Sequence, residues 1–382
     1  MPKLLRITTV PHSLDLLLRG QIKYMSEHGF DVSIASSNGP EIKDIEAREN
    51  VKHYPISFTR SLNPLKDIVA LVQTIKLLMK LQPDIVHTHS PKAGIIGMLA
   101  AKICNVPLKI HTVAGLPLVE TTGLKRQLLI GVEKLTYFFA DWILPNSENL
   151  MKYIKQCIYS SQNVVVLGKG SSNGIDLHYY KSTSSIREKA NSLRSQYDIN
   201  DEDIVLTFVG RLANYKGINE LVESFKILQS KYNNIKLFLV GPYEEINPLK
   251  PEKIYDIEHN SAIIATGHQD DIRPYLSLTD IFVFPSYREG FPQALMQACA
   301  YGIPCVASNI NGCNEIVFDG FNGRLVSPKN VVELTAACDD LICNKHIREE
   351  FGNNARGFLE EYYEQGQFWE HLHKFYLEKL ER

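Results

Sequence analysis

The sequence predicts an α/β protein built on two doubly wound parallel sheets. Short runs rich in Val, Ile and Leu alternate with amphipathic helical segments over most of the 382 residues, which is typical of parallel sheets covered by helices. A chain of this length, with 44% hydrophobic residues, favours two compact domains over one core. The segment GKGSSNGIDLHYYKSTSS (168–185) separates the two series, is dense in Gly, Ser and Asn and lacks periodicity, so we place the domain boundary there.

The first series predicts seven strands with helices between them. The strands are expected at 4–10, 31–36, 51–56, 84–89, 108–113, 142–146 and 163–167. Helices are expected near 14–28, 65–81, 93–104, 124–139 and 147–157. Strands and helices that alternate in this way predict one doubly wound unit.

The second series predicts another such unit, followed by helices alone. Its strands are expected at 204–210, 235–241, 262–267, 281–286, 304–308 and 323–327, with helices including 218–232 and 292–301. After residue 330 the pattern is wholly helical. We therefore predict an N-terminal domain at 1–170, a linker region at 171–200 and a second domain at 201–360. A C-terminal helix at 361–382 could pack back on the first domain.

Composition excludes several classes of protein. The 41 basic and 43 acidic residues leave no overall basic character, which argues against a nucleic-acid partner. The seven cysteines are scattered without a C-x-x-C pair, which indicates reduced thiols in a cytoplasmic protein and no structural zinc. The start of the chain reads as a first strand rather than a signal peptide. The longest apolar stretch is interrupted by Lys76, Lys80 and Pro83, so we expect no membrane-spanning helix.

The segment GRLANYKG (210–217) follows the first strand of the second series. Arg211 comes one residue after Gly210, and Lys216 precedes a helix. In open α/β sheets ligands bind outside the carboxyl ends of the strands. A helix N-terminus with added Arg and Lys side chains suits a diphosphate. The alternative is a solvated surface pair.

The segment REGFPQALMQ (288–297) repeats this strand, loop, helix arrangement. Glu289 and Gly290 lie in the loop, Pro292 is expected at the first helical position, and backbone amides near Phe291 and Gln293 would face the same pocket. Glu289 has no obvious basic partner nearby in sequence. It could accept hydrogen bonds from two neighbouring hydroxyls of a sugar, or it could simply interact with the helix dipole.

Gln297 follows Glu289 by eight positions, a little over two helical turns. It should return to roughly the same side of the helix as the loop. An amide there could contact a ligand, or it could be an ordinary half-buried polar residue.

The segment DIVHTHSPKAG and the strand after it carry His87, His89, Lys92 and His111, which we expect at or just after strand ends. His87 and His89 should point to the same face of their strand. That spacing would suit a metal, but no convincing third ligand follows, so structural polar histidines are favoured.

Taken together, these motifs resemble retaining GT-B glycosyltransferases of family 4. GRLANYKG resembles the diphosphate-binding loop of that family, NGID (173–176) its interdomain turn, and NGCNEIVFDGFNGRLV (311–326) the segment after its donor helix. The resemblance covers nearly the whole chain. It implies a GT-B fold, in which two Rossmann-like domains face a central cleft.

The resemblance also implies roles for individual residues. Arg211 and Lys216 would bind the donor diphosphate, and Glu289 would bind hydroxyls of the donor sugar. Gln297 stands where the family usually has a second Glu that holds the ribose diol. In the first domain, the ring or backbone of His111 would meet the donor sugar, and His89 is a weaker candidate for sugar or acceptor contact. Where the family often has a glycine pair, this chain has VPHS, so His12 or Ser13 could take that place.

The implied activity is transfer of a hexose, N-acetylated or deoxy, from a UDP-sugar to a saccharide on a polyprenyl diphosphate, with the anomeric configuration retained. No convincing D-x-D motif is present, so no metal is expected. Two amphipathic segments combine apolar faces with basic residues, which suits either peripheral contact with the cytoplasmic face of an inner membrane or ordinary packed helices. Those residues are Arg60, Lys66, Lys76 and Lys80 in one segment and Lys125, Arg126 and Lys134 in the other. A sugar-nucleotide epimerase and a non-catalytic sugar-nucleotide sensor are the alternatives.

Overall fold

The computed structural model of the chain describes residues 1–59, 63–116 and 121–381. The chain divides into two compact units. Unit 1 comprises residues 1–174 together with the helix that begins at Gln365, and unit 2 comprises Ile175–Glu364. No helix within the described residues is both long enough and apolar enough to span a bilayer.

Unit 1 is built on a six-stranded parallel sheet in the order β3-β2-β1-β4-β5-β6. Its strands are β1 (Lys3–Ile7), β2 (Asp31–Ser36), β3 (Lys52–Pro55), β4 (Ile85–His89), β5 (Leu108–Val113) and β6 (Trp142–Pro145). The helices are α1 (Pro11–Leu18), α2 (Gln21–Glu27), α3 (Ile42–Glu49), α4 (Pro64–Leu81), α5 (Pro91–Ile103), α6 (Gly123–Phe139) and α7 (Glu148–Cys157). Successive strands extend the sheet in one direction from β1 to β3 and in the opposite direction from β4 to β6, so the strand order reverses between β1 and β4.

Three details of unit 1 differ from the sequence prediction. The helix expected at 14–28 is two helices, because Gly20 adopts a left-handed conformation with φ of 77°. A Cβ at Gly20 would also lie 2.7 Å from the ring of Trp369. The predicted strand at 163–167 forms only a single bridge, between Ile143 and Val164, and α3 was not predicted.

Unit 2 has a second six-stranded parallel sheet, in the order β12-β11-β10-β7-β8-β9. Its strands are β7 (Ile204–Val209), β8 (Ile235–Val240), β9 (Ile263–Gly267), β10 (Ile281–Phe284), β11 (Cys305–Ser308) and β12 (Gly323–Val326). The helices are α8 (Ser184–Gln196), α9 (Ile218–Gln229), α10 (Pro251–His259), α11 (Arg273–Ser277), α12 (Gln293–Ala300), α13 (Val331–Cys343) and α14 (Lys345–Tyr362). This order reverses between β7 and β10, so the two sheets share one topology.

The region 171–200, expected as a linker, contains the regular helix α8, whose N-cap Thr183 accepts a hydrogen bond from the backbone of Ile186. The short helices α10 and α11 were not predicted either. The other strands and helices of unit 2 lie within a few residues of their predicted positions.

The C-terminal helix α15 (Gln365–Leu380) packs into the core of unit 1 through Leu372, Phe375 and Tyr376. The hydroxyl of Tyr376 lies 2.5 Å from Nδ1 of His87 on β4. The indole of Trp369 donates a hydrogen bond of 2.7 Å to Oδ1 of Asn173. Apolar burial and these two polar contacts therefore fix α15 on unit 1.

Candidate active site

The carboxyl ends of β7 and β10 lie side by side where the order of the unit 2 sheet reverses. Such a reversal opens a crevice outside the strand ends, which is where ligands bind in open α/β sheets. The loop after β7 carries Arg211 and Lys216, and the loop after β10 carries Glu289. Topology therefore brings together three residues that the sequence analysis took from two separate motifs.

Lys216 and Glu289 form an ion pair, with Nζ 2.6 Å from Oε1. Both side chains are mostly buried, with exposed fractions of 15% and 13%. Glu289 therefore has a basic partner in the fold, although none was evident nearby in the sequence. Its partner lies 73 residues earlier in the chain and becomes a neighbour only through the pairing of β10 with β7.

The two loops also touch through their backbones. The amide of Tyr287 donates a hydrogen bond of 2.8 Å to the carbonyl of Tyr215. Gly217 has a φ of 73°, and a Cβ at this position would lie 2.1 Å from the carbonyl oxygen of Pro285. Only glycine fits such a close approach. The loop-to-loop contact therefore fixes the spacing between Lys216 and Glu289.

Tyr215 lies in the loop after β7, and three cations lie around its ring. The guanidinium carbons of Arg211 and Arg288 lie 5.9 Å and 4.4 Å from the ring centroid, and Nζ of Lys216 lies 5.7 Å away. Cations at such distances are attracted by the aromatic quadrupole. Sequence reasoning missed both Arg288 and Tyr215. The position of Arg288, immediately before Glu289 in a loop after a strand, could have indicated it.

Arg211 also has fixed partners. It forms an ion pair with Glu244 and donates a hydrogen bond of 2.6 Å from Nη2 to the hydroxyl of Tyr215. Its side chain is 59% exposed, so the guanidinium can reach a ligand. Glu244 was not predicted. It lies just past the end of β8, and the strand-end rule applied to this third strand would have found it.

The start of α12 differs by one residue from the prediction. Pro292 is the N-cap, with an extended ψ of 109°, and the helix begins at Gln293. Phe291 is only 8% exposed and packs 5.4 Å from the ring of Tyr363, so its side chain belongs to the core. A Cβ at Gly312 would lie 2.3 Å from the carbonyl of Gly290, which shows how closely a neighbouring turn supports this loop.

Gln297 is half-buried on α12, and its Nε2 donates a hydrogen bond of 2.7 Å to the hydroxyl of Tyr180. This tyrosine precedes α8 and was not singled out in the sequence. The bond occupies one donor of the amide and orients its carbonyl oxygen.

Cys313 is fully buried near Glu289 and Lys216. Burial raises the pKa of its thiol well above the usual value, so the thiol stays neutral.

His87 and His111 lie inside β4 and β5 rather than at strand ends, which corrects the expectation for these two, whereas His89 is the last residue of β4. The rings of His87 and His89 stack with centroids 4.3 Å apart, so they do share one face. Nε2 of His89 lies 2.9 Å from Nη2 of the buried Arg6. Burial lowers the pKa of both rings well below the usual value, because a charge is poorly solvated there.

His111 is 2% exposed, with Nδ1 2.8 Å from the hydroxyl of Thr88. A Cβ at Gly94 would lie 2.5 Å from its ring, so α5 packs directly on it. Burial lowers the pKa of His111 to about 4, and the imidazole is neutral near pH 7. A role of His111 or His89 in sugar contact stays a prediction.

His12 and Ser13 lie in the first turn of α1. His12 is exposed, and Ser13 is half-buried with its amide bonded to the carbonyl of Val10. Lys92, at the start of α5, pairs with Asp67 at 2.9 Å.

Within the described ranges, no three His, Cys, Asp or Glu side chains are grouped so that they could hold a metal ion.

Comparison with known proteins supports the resemblance seen in the sequence. Residues 189–358 match the family described as glycosyl transferases group 1, and residues 8–147 match the family described as glycosyl transferase 4-like. The capsular polysaccharide biosynthesis glycosyltransferase CapM of Staphylococcus aureus is 33% identical, over 98% of this chain and 96% of its own length.

A second relative is the Escherichia coli UDP-Gal:alpha-D-GlcNAc-diphosphoundecaprenol alpha-1,3-galactosyltransferase. It is 30% identical, over 87% of each chain. Among solved structures, Anabaena HepE in complex with UDP and glucose superposes with a TM-score of 0.82 at 17% identity, over 99% of this chain and all of that one. The predicted GT-B fold is confirmed, and the chain belongs to the family 4 glycosyltransferases.

Proposed function

We propose that the protein transfers a hexose from a UDP-sugar to a saccharide carried on a polyprenyl diphosphate, in the synthesis of a cell-surface polysaccharide. Three comparisons support a UDP-sugar donor and a lipid-linked acceptor. The E. coli relative uses a UDP-sugar and a diphosphoundecaprenol acceptor, the S. aureus relative acts in capsule synthesis, and the Anabaena structure holds UDP and glucose. The hexose that the sequence resemblance implies is N-acetylated or deoxy.

The observation that carries the proposal is the cluster of Lys216, Arg211 and Arg288 around Tyr215, with Glu289 paired to Lys216. A UDP-sugar presents a diphosphate beside a ring of hydroxyls. The three cations suit the diphosphate, and the carboxylate suits two neighbouring hydroxyls. Both halves of such a ligand therefore have complementary partners in one crevice.

The chemistry asked of this site is mainly electrostatic. As the bond between sugar and phosphate breaks, negative charge grows on the departing diphosphate, and Arg211, Lys216 and Arg288 stabilise it. Glu289 holds the sugar through its hydroxyls while the acceptor hydroxyl attacks. Retention follows from front-face displacement, in which the departing phosphate takes the acceptor proton. The family resemblance supports this last step.

No divalent metal is invoked in this mechanism, because Arg211, Lys216 and Arg288 are proposed to supply the positive charge that faces the diphosphate. Excess EDTA should therefore leave the rate of sugar transfer unchanged, measured with the purified protein, donor and acceptor. Loss of activity that added Mn²⁺ restores would contradict the metal-free mechanism.

Peripheral contact with a membrane would bring the protein to a lipid-linked acceptor. On α4 and α6 the large apolar side chains Leu65, Met79, Leu124 and Phe138 are at least 67% exposed. Lysines on the same two helices are exposed as well, namely Lys66, Lys76, Lys80, Lys125 and Lys134, whereas Arg60 lies outside the described residues. This combination suits an anionic bilayer surface, and we place the protein at the cytoplasmic face of the membrane.

A donor panel tests the proposed activity directly. Purified protein, UDP-sugars and an undecaprenyl-diphosphate-linked amino sugar should release UDP only when donor and acceptor are both present. Mass spectrometry should show the acceptor extended by one hexose, and NMR should show the anomeric configuration of the donor. Loss of UDP-sugar without a glycosylated product would favour an epimerase, and donor binding without UDP release would favour a sensor.

Glu289→Ala should lower kcat/KM about 100-fold, because a hydrogen bond to a charged group is worth about 1.5–3 kcal/mol. The matched control is Asp339→Ala, which removes the partner of Lys231 in another lysine–carboxylate pair of unit 2. The control should keep full activity, and both variants should melt cooperatively. Unchanged activity in Glu289→Ala would remove this carboxylate from the site.

Gln297→Glu should hold the UDP-sugar as tightly as the parent or about fivefold more tightly, since a carboxylate makes a charge-assisted bond to a ribose hydroxyl. The hydroxyl of Tyr180 can donate to the new carboxylate, so that contact survives. Calorimetric titration with the UDP-sugar measures the affinity of the parent and of Gln297→Glu. The same comparison is then made in protein that also carries Tyr180→Phe. A large loss of affinity that is absent in the Tyr180→Phe background would show that the site requires the amide–tyrosine bond.

A further inference from the structure

Unit 1 contains an open cavity of about 750 Å³ that the donor chemistry does not use. It begins at Thr9 and Ser90, just past the carboxyl ends of β1 and β4, where the order of the unit 1 sheet reverses. This is the position at which doubly wound sheets bind ligands. Its volume lies within the range of roughly 300–1,000 Å³ that small-molecule sites occupy.

The walls of the cavity are apolar over most of their extent. They come from three helices, because α4 and α6 both pack against α5. The main apolar contributors are Ile68, Leu71, Ile95, Leu99, Leu128 and Val132. A free sugar would find few partners for its hydroxyls on these walls, whereas a hydrocarbon would bury apolar surface on both sides.

One end of the cavity is polar. There the hydroxyls of Thr9 and Ser90 lie 2.8 Å apart, at the entrance to α5. Nζ of Lys92, in the first turn of α5, lies 2.9 Å from Oδ1 of Asp67 and 3.2 Å from Oγ1 of Thr59. The side chain of Lys92 is only 13% exposed. An ammonium, its paired carboxylate and a helix N-terminus therefore meet at the mouth of an apolar channel. An anionic headgroup on a hydrocarbon chain that displaces Asp67 from Lys92 would find a complementary charge there.

We propose that this cavity binds the first isoprene units of a polyprenyl diphosphate, with the diphosphate at Lys92 and the hydrocarbon between α4, α5 and α6. The inference rests on the proposed function and specifies where its acceptor lipid binds. At about 30 Å³ for each small group, which is the share of one molecule in liquid water, the cavity holds roughly 25 such groups, enough for about five isoprene units. Ile68 and Leu128 line the cavity and are also 58% and 60% exposed, so the rest of a longer chain can leave along them toward the bilayer.

Direct labelling tests the site without any need for catalysis. The probe is geranylgeranyl diphosphate that carries a benzophenone on its last isoprene unit, with cross-linked peptides mapped by mass spectrometry. Cross-links should fall on α4, α5 or α6, and unlabelled geranylgeranyl diphosphate should compete at least tenfold better than inorganic diphosphate or geranylgeraniol. Cross-links outside these helices, or equal competition by all three compounds, would overturn the proposal.

Variants in the wall separate lipid binding from a general change in the surface. Leu71→Gln places an amide in the apolar channel and should weaken probe binding about tenfold. Ile103→Gln makes the same kind of change at the end of α5, at a residue that is 54% exposed and does not line the cavity, so binding should not change. Equal binding by both variants would overturn the proposal.

Substitutions at the two members of the Lys92–Asp67 ion pair should change lipid binding in opposite directions. Lys92→Gln should weaken binding of geranylgeranyl diphosphate about tenfold, because it removes the ammonium. Asp67→Asn should keep or strengthen binding, because it removes the competing carboxylate. A purely structural pair would respond to both changes in the same direction, and that result would overturn the diphosphate assignment.

Transfer assays distinguish failure of this inference from failure of the proposed function. If the wild-type protein extends acceptors with two and with eleven isoprene units at equal kcat/KM, the lipid site is wrong while the glycosyltransferase proposal stands. If no acceptor is extended but the probe still labels α4 to α6, the lipid site stands and the proposed function is wrong. UDP binding should be the same in all four variants, because their side chains lie in the other unit.

Discussion

The ion pair between Lys216 and Glu289 is the contact on which the candidate site depends. Its two members are 13% to 15% exposed, so removal of either would leave the other charge poorly solvated and without compensation. The close approach of Gly217 to Pro285 and the backbone bond between Tyr287 and Tyr215 hold the two loops at the distance that the pair requires. The positions of Arg211 and Arg288 follow, since both pack on Tyr215 between these anchors.

This pair also constrains how a donor can bind. A diphosphate that takes the ammonium of Lys216 leaves Glu289 without its partner, and a sugar that takes Glu289 alone leaves Lys216 without one. The proposed donor, a complete UDP-sugar, would compensate both charges at once, because it carries phosphates and hydroxyls in one molecule. The ligand halves should therefore bind less tightly than their separate contacts suggest. Such coupling favours the intact donor over its products.

The sequence predicted most of the fold because hydrophobic periodicity is a local signal. Every strand of unit 2 lies close to its predicted position, and so do α9 and α12. The break at Gly20 was missed although a glycine inside a helical pattern is itself a local signal, whereas the contact of Gly20 with Trp369, 349 positions away, forms only when α15 packs on unit 1. The segment 163–167 is rich in valine, yet it forms one bridge rather than a strand, so composition alone did not decide its pairing.

The site was predicted less completely for the same reason. Strand-end positions identified Arg211, Lys216 and Glu289, since those follow from the order of elements along the chain. Glu244 becomes a partner only because the sheet order places β8 beside β7, and Tyr180 only because the segment before α8 meets α12, whereas Tyr215 lies in the same loop as Arg211 and was simply not singled out. The two sheets share this order reversal, but their crevices differ in chemistry: cations and a carboxylate fill one, and leucine and isoleucine side chains line the other. One topology thus supplies two crevices, and the side chains after the strands match the charged crevice to the proposed nucleotide and the apolar one to the proposed hydrocarbon.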